Sequence, residues 1–333
     1  MARILITGAS GFIGGYLVEQ SLQNGHAVTA AVRPTSDRSR LNDPRLNFLD
    51  LPLGEEALMA EQLKKAGRFD WIIHNAGVTK ALSPEGYLEG NTENTRRLTM
   101  VLQRLEQQPD KFLFVSSLAS LGTTPPGSAM IHAQQPPQPL TYYGESKLQT
   151  EVLLEALPKD FPWVVVQPTA VYGPWERDIL TFIRMANLGL EVSIGLNSQR
   201  LSFVHAADVA RAIFQVLETS RPINHRKFIV SDGQAYTTED LGRAVRTALG
   251  GKKTIKIRVP LGLVKQIAGI IETIGQWQNK PSTLNRNKIQ ELSAENWHCD
   301  ASPLFDELLF QPEFDLFRGM HQTVNWYRQA GWL

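Results

Sequence analysis

A single cysteine, Cys299, stands in 333 residues. One thiol excludes an internal disulfide and the multi-cysteine zinc sites. His298 beside it reads as a packing or surface residue, and no metal site is expected. The chain also lacks a block of one charge. Lysine and arginine number 34 against 33 aspartates and glutamates, a net charge of +1, with the basic residues not gathered in one run. Nothing in that balance asks for nucleic acid or an anionic surface. No uninterrupted apolar run is long enough to span a bilayer. No signal peptide is visible, because the N-terminus runs straight into a strand. These absences lead us to expect a cytoplasmic, soluble protein with a small-molecule substrate, no nucleic-acid partner and no stable membrane insertion. An apolar content of 42% is ordinary for a chain with a real core. The length suits one large domain or two lobes.

What is present starts almost at the N-terminus. Residues 2–6 form a short apolar run. Thr7-Gly8-Ala9-Ser10-Gly11-Phe12-Ile13-Gly14 follows, and Phe12, Ile13, Tyr16, Leu17 and Leu22 recur at helical intervals. Strand, glycine turn and helix, in that order, are what a dinucleotide pyrophosphate requires. The glycines allow a tight turn and a close approach of phosphate to backbone. The first helical amides have no intrahelical partner, and the helix dipole is positive there. The spacing alone also arises in plain turns; its context favours the ligand. Gly8, Ser10, Gly11, Phe12, Ile13 and Gly14 are therefore cofactor-binding candidates.

A second strand is expected over 26–32. Where an acidic side chain would bind the adenosine ribose, this chain has Arg33, 19 residues after Gly14, with Arg38 and Arg40 beyond it. A carboxylate repels a 2′-phosphate and an arginine pairs with it. Arg33 and Arg38 thus favour NADP, with NAD as the alternative; the competing reading is a solvated loop.

Further strands are expected over 46–49, 69–74, 111–115 and 163–166, with helices over 55–66, 84–107 and 142–157. This alternation indicates an α/β chain with a doubly wound parallel sheet. The dinucleotide-binding domain is placed at 1–174, with segments of about 201–232 returning to it and the strands near 203 and 228 rejoining the sheet. Residues 175–200 and 233–333 form a smaller mixed α/β substrate lobe. The long stretch 118–140, rich in proline, glycine and threonine, reads as a cover over the site or as a surface excursion. A strongly apolar helix is expected over 261–277, with Lys265 and Glu272 its only charges. Such a helix must bury most of its surface. Core packing, a pocket wall, a dimer contact and membrane-surface contact are its alternatives.

Tyr143-Gly144-Glu145-Ser146-Lys147 opens the helix after the fifth strand. A tyrosine and a lysine four apart share one helix face. The cation is expected to lower the phenol below its ordinary pKa of about 10. Ser117, at the end of a strand, completes a set able to handle the proton while a nicotinamide handles the hydride.

The chain resembles the extended short-chain dehydrogenase/reductase family, also described as the NAD-dependent epimerase/dehydratase family, whose domain has the Rossmann fold. The motifs that carry this are 7–14, Asp50-Leu51, His74-Asn75-Ala76-Gly77, Asn91, Ser116-Ser117, 143–147, 168–174 and Phe203-Val204-His205-Ala206-Ala207-Asp208. The resemblance implies Tyr143 as general acid/base, Lys147 on the nicotinamide ribose and Ser117 on the substrate oxygen. It places Asp50 and Leu51 at the adenine, and Asn75, Ala76 and Gly77 at the middle of the cofactor, with Ser116 near them. Pro168, Thr169, Ala170 and Val171 fall at the carboxamide end. Asn91 either orders a water near the cofactor or bridges helix and loop, and Asp208 supports the start of its helix. Thr79, Leu118, Ala119, Tyr172, Trp175 and Arg177 are candidates for the substrate cleft. Family members are often dimers, here through the helices at 84–107 and 141–157.

Asn75-Ala76-Gly77 departs from the extended pattern, and residues 195–202 match the nucleotide-sugar pattern poorly. Both weaken a sugar-nucleotide assignment. The resemblance leans toward the dihydroflavonol reductase and 3β-hydroxysteroid dehydrogenase branch. It implies NADP(H)-dependent interconversion of a ketone or aldehyde and a secondary alcohol on a small apolar or ring substrate. A nucleotide-sugar epimerase, dehydratase or reductase is the alternative, and a non-catalytic NADP sensor the third reading. Leu118-Ala119-Ser120 supplies none of the acidic groups a dehydratase would carry.

Overall fold

The computed structural model describes residues 1–125, 130–194, 199–278 and 286–333. β1 (Arg3–Thr7) is followed by α1 (Phe12–Gln23), β2 (Ala27–Val32), β3 (Asn47–Asp50), α2 (Glu56–Ala66) and β4 (Trp71–His74). α3 (Pro84–Tyr87) continues through a π turn at Leu88–Glu93 into α4 (Asn94–Arg104). The helix expected over 84–107 is thus widened in its middle, where Asn91 sits. β5 (Lys111–Val115), α5 (Tyr142–Glu155) and β6 (Trp163–Pro168) complete the first run.

The chain goes on through β7 (Ala170–Tyr172), α6 (Asp178–Asn187), β8 (Leu190–Ile194), β9 (Arg200–Leu201), β10 (Phe203–His205), α7 (Ala206–Glu218) and β11 (Arg226–Val230). After these come β12 (Tyr236–Thr237), α8 (Thr238–Ala248), β13 (Ile255–Val259), α9 (Leu261–Trp277), α10 (Arg286–Ser293), β14 (Asn296–Trp297), α11 (Ser302–Leu308) and α12 (Leu316–Gln329).

Seven parallel strands form the main sheet in the order β3-β2-β1-β4-β5-β6-β11. The order reverses between β1 and β4, and a crevice opens there beyond the carboxyl ends of the strands. Alternation along β1 explains the two layers: successive side chains point to opposite faces. Ile4 and Ile6 pack with Leu17 and Val18 of α1 and Ile213 and Leu217 of α7. Leu5 packs with Met59 and Leu63 of α2, Leu98 and Leu102 of α4 and Leu154 of α5. A third cluster joins Tyr172, Ile183, Phe203, Val245, Met320, Val324 and Tyr327, from β7, α6, β10, α8 and α12.

Two expectations are corrected. The strand near 228 rejoins the sheet as β11, but the one near 203 does not. β11 holds the place beside β6, and β10 pairs instead with β7, which peels away after Pro168. The apolar helix α9 does not bury most of its surface. Val264 and Ala268 are buried against Ile289 of α10, with Val259 and Leu261 packed at the edge. Leu263 is 50% exposed, Ile267 43%, Ile271 38% and Trp277 87%. The side chains of Ile270 and Ile274 lie outside the described residues. Among the described residues no helix is long and apolar enough to cross a membrane.

Candidate active site

The crevice is lined first by the glycine turn. Gly8 has φ +66°, and a methyl group there would lie 2.8 Å from the Ala76 Cα. A side chain at Gly14 would collide with the Gly8 carbonyl. The turns after β1 and β4 therefore meet only because Gly8 carries no Cβ, and α1 packs on the glycine turn only because Gly14 carries none. The Asn75 side-chain amide donates to the Gly8 carbonyl at 3.2 Å, and the Ala76 amide donates to Thr7 Oγ1 at 3.1 Å. α1 begins at Gly11, with no side-chain cap and no acidic residue in its first turn. Its leading amides and dipole are left for an anion. Ser10 is exposed and Phe12 and Ile13 half-buried. This donor set fits a dinucleotide pyrophosphate.

Behind the turn runs a buried hydrogen-bond relay. The Thr95 hydroxyl donates to the Asn91 carbonyl at 2.7 Å. Its oxygen is 2.9 Å from His74 Nε2, and His74 Nδ1 is 2.8 Å from Thr7 Oγ1. With the Thr95 proton committed, His74 carries its proton on Nε2 and accepts from Thr7 at Nδ1. Burial, with Lys147 nearby, pushes the His74 pKa down to about 3. Asn91 bridges helix and loop: its oxygen accepts from the Val78 amide and its nitrogen donates to the Val78 carbonyl and to Ser146 Oγ. These bonds fix the loop that carries Gly77. A methyl at Gly77 would lie 2.6 Å from Asn91 Oδ1 and 3.3 Å from Lys147 Nζ.

β5, the short helical turn at Leu118–Ser120 and α5 bring Ser117, Tyr143 and Lys147 together. Ser117 Oγ accepts from the Ala119 amide at 3.2 Å, and Ser117 lies near enough to Tyr143 to pull its pKa down. Lys147 Nζ donates to the Val115 carbonyl at 2.9 Å, 4.6 Å from the Phe114 ring centre and 6.0 Å from that of Tyr143. Burial lowers the Lys147 pKa to about 8, against the opposing pull of Glu151. The expected depression of Tyr143 by Lys147 is not found. Burial raises the phenol to about 12, the neighbouring Ser117 opposes this, and Glu291 and Tyr87 add to the rise. The site at rest therefore holds a protonated phenol.

The other candidates are distributed as follows. Arg33 is exposed just beyond β2, and its guanidinium has no ion-pair partner among the described residues. Arg38 is paired with Asp50 at 2.8 Å, whereas Arg40 turns away to Glu19, the Phe12 carbonyl and the Tyr16 ring. Leu51 is buried. The Ser116 hydroxyl donates to Glu151 at 2.5 Å, behind the site. Pro168 and Thr169 are buried at the end of β6, with Ala170 exposed and Val171 half-buried in β7. Thr79 is exposed; Leu118 and Ala119 are buried. Tyr172, Trp175 and Arg177 sit with the C-terminal residues: the Tyr172 hydroxyl donates to the Asp315 carbonyl, Trp175 lies on Trp326, and Arg177 on Trp332. Asp208 does not cap its own helix, a role taken by His205; it accepts from the Glu313 and Phe314 amides. Of the stretch before Phe203, residues 195–198 lie outside the described residues, as do 126–129 of the stretch 118–140. The latter stretch is pinned by mutual backbone bonds between Ile131 and residues 298–300.

Sequence reasoning missed three participants. Glu151, fully buried, accepts from Ser116, Ser120, Gln167 and Lys227. Its signal was available: it stands four residues after Lys147 on the same helix face. α10 brings Asn287 to the Tyr142 amide at 3.2 Å and Glu291 into the electrostatic surroundings of Tyr143. Nothing local in the sequence marks that contact.

The profile of the NAD dependent epimerase/dehydratase family matches residues 4–230. The chain belongs to that family and is a nicotinamide-dependent enzyme of the oxidoreductase, epimerase and dehydratase class. It is 26% identical over 331 residues to a ceramide reductase of Caulobacter vibrioides, covering 99% of this chain and 96% of that protein. It is 24% identical to a UDP-glucose 4-epimerase of Vibrio cholerae, covering 98% and 96%. Among solved structures, UDP-glucose 4-epimerase of Thermotoga maritima superposes with a TM-score of 0.78 at 19% identity, covering 98% and 99%, a likeness of fold.

Proposed function

We infer that this protein is an NADP(H)-dependent reductase that interconverts a ketone or aldehyde and a secondary alcohol on an apolar substrate. The observation that carries the reading is the state of Tyr143: a phenol held protonated by burial, beside Ser117 and one helical turn from the buried Lys147. A bound nicotinamide supplies or accepts the hydride. Ser117 and Tyr143 hold the substrate oxygen between two hydroxyls. In the reductive direction Tyr143 gives that oxygen its proton. Lys147, charged below about 8, stabilises the phenolate left behind.

The preference for NADP rests on Arg33, exposed and uncommitted where an acidic residue would select NAD. The apolar substrate rests on α10, which reaches Tyr142 and packs on the apolar helix α9. The likeness to a ceramide reductase agrees with it. The likeness to an epimerase favours the second reading, in which the same pair acts with no net redox change.

The test is nicotinamide absorbance over time, with NADPH and NADH separately, against ketosteroids, flavonoid ketones, long-chain keto compounds and nucleotide sugars. Consumption of NADPH with an apolar ketone supports the reductase. Conversion of a nucleotide sugar to its epimer without an absorbance change would replace it with the second reading.

A further inference from the structure

We propose that α9 seats the protein on the surface of an anionic lipid bilayer, without crossing it. Leu263, Ile267 and Ile271 recur at four-residue steps and form one exposed stripe on the helix. Trp277, almost fully exposed, ends the same helix. Exposed apolar stripes of this kind mark interaction surfaces. An indole at the end of one suits the boundary between headgroups and acyl chains. The adjoining face of α9 is anchored by Val264 and Ala268 against α10, so the stripe is presented by a packed element.

Charge selects the occupant. Residues 251–290 contain eight lysines and arginines and one acidic residue, Glu272, leaving the rest of the chain with 26 basic against 32 acidic. The near-neutral total conceals this local bias. Lys252, Lys253 and Arg258 precede the helix and Lys265 lies within it, all exposed or half-buried. Among the described residues of this segment, Lys256 and Lys288 are in ion pairs with Glu239 and Glu291. An apolar stripe among basic residues fits a surface of anionic headgroups, to which each adds attraction. A second copy of the chain fits poorly: a two-fold contact would bring two strongly basic segments together. Because α10 joins α9 to the start of α5, seating α9 would bring the mouth beside Tyr143 close to the lipid. Binding itself requires no turnover, so it stands or falls apart from the reaction assigned above.

The experiment is flotation of the full chain with vesicles of phosphatidylcholine alone and of phosphatidylcholine with phosphatidylglycerol, at low and high salt. The expected result is flotation with the anionic vesicles, weakened by salt and slight on phosphatidylcholine alone. Ile267→Glu combined with Ile271→Glu should lower the floated fraction about tenfold or more. NADPH affinity, read by fluorescence, should stay unchanged and report an intact fold. Lys252→Glu with Lys253→Glu should lower flotation on anionic vesicles, and Leu58→Glu, on an exposed position of α2, should not. A wild-type chain that stays with neither vesicle overturns the proposal. So does equal flotation on both compositions, or a double variant that floats like wild type. A wild-type dimer that the double variant dissolves, without flotation, would assign the face to a second copy instead.

Discussion

Tyr143 and Lys147 share one helix face, but burial sets their charges more strongly than their mutual attraction does. The phenol rises to about 12 and the ammonium falls to about 8. The neutral phenol is then a donor over the whole physiological range, and in the reduction proposed above the limiting titration belongs to Lys147. As pH rises through about 8, Lys147 loses the charge that stabilises the departing phenolate, so kcat/KM for reduction should fall there. A pH profile that is flat across this range would contradict that assignment. Tyr143→Phe removes the donor and leaves the glycine turn intact; turnover should drop by roughly 10²–10⁴ while affinity for the nicotinamide cofactor is kept. His74 gives a third prediction, this one on stability. Its folded pKa of about 3 lies below the ordinary 6.5, so between these values the unfolded chain binds the extra proton. Stability should therefore be lost as pH falls through that window, at up to about 1.4 kcal/mol per pH unit from this group. Urea unfolding of His74→Gln, less stable at neutral pH, should show a shallower decline between about pH 7 and about pH 5.

At the scale of elements, α5 is the beam on which the site rests. Its inner face carries Tyr143, Lys147 and Glu151. The last of these ties the helix to Ser116, at the end of β5, and to Gln167 in β6 and Lys227 in β11. Lys227 is the counter-charge nearest that carboxylate, at 2.9 Å. Lys227→Met should destabilise the fold by about 3 kcal/mol, because an uncompensated buried charge remains. Adding Glu151→Gln should return much of the loss, as a double-mutant cycle in urea would show. This network also marks the limit of what could be read in advance. The glycine turn, the Tyr143–Lys147 pair and the serines were legible because each is a local pattern at the end of one element. The reversal of strand order that sets β1 beside β4 followed from the alternation of strands and helices. Glu151 stood on the face of Tyr143 and Lys147, but its partners were hidden, because they come from three strands and a turn. The rise of the Tyr143 pKa depends on burial by neighbours distant in sequence. The pairing of β10 depended on which strand took the place beside β6. Hydropathy along α9 showed that it needed an apolar surface to cover it, but not that Leu263, Ile267 and Ile271 would stay exposed.

Across the whole molecule, the sheet layer and the C-terminal cluster meet at residues 313–316. Asp208, fully buried in α7, accepts from the Glu313 amide at 3.0 Å and the Phe314 amide at 2.9 Å, and Arg211 donates to it at 2.6 Å. Tyr172 of β7 holds the Asp315 carbonyl at 2.9 Å. The Tyr236 hydroxyl accepts from the Leu316 amide and donates to Asp232, whose carboxyl burial raises to about 6. The Asp315 side chain accepts from the Arg318 amide and caps α12, which packs with α8 in the third cluster. Asp208 thus holds the approach to α12, and Tyr172, Tyr236 and the Asp315 cap hold its first residues. Asp208→Asn turns an acceptor into a donor facing two amide donors. The loss of charge-assisted bonds in a buried place should cost about 2–4 kcal/mol. The damage should be confined to the joint: limited proteolysis should cut within 309–315 in the variant and spare the wild type. Nicotinamide-cofactor affinity, assigned to the glycine turn far along the chain, should change less than twofold, a shift below about 0.4 kcal/mol. If Asp208→Asn weakened cofactor binding as much as it opened the joint, the C-terminal cluster and the cofactor crevice would be one cooperative unit, and Asp208 would serve the crevice as well as the lobe.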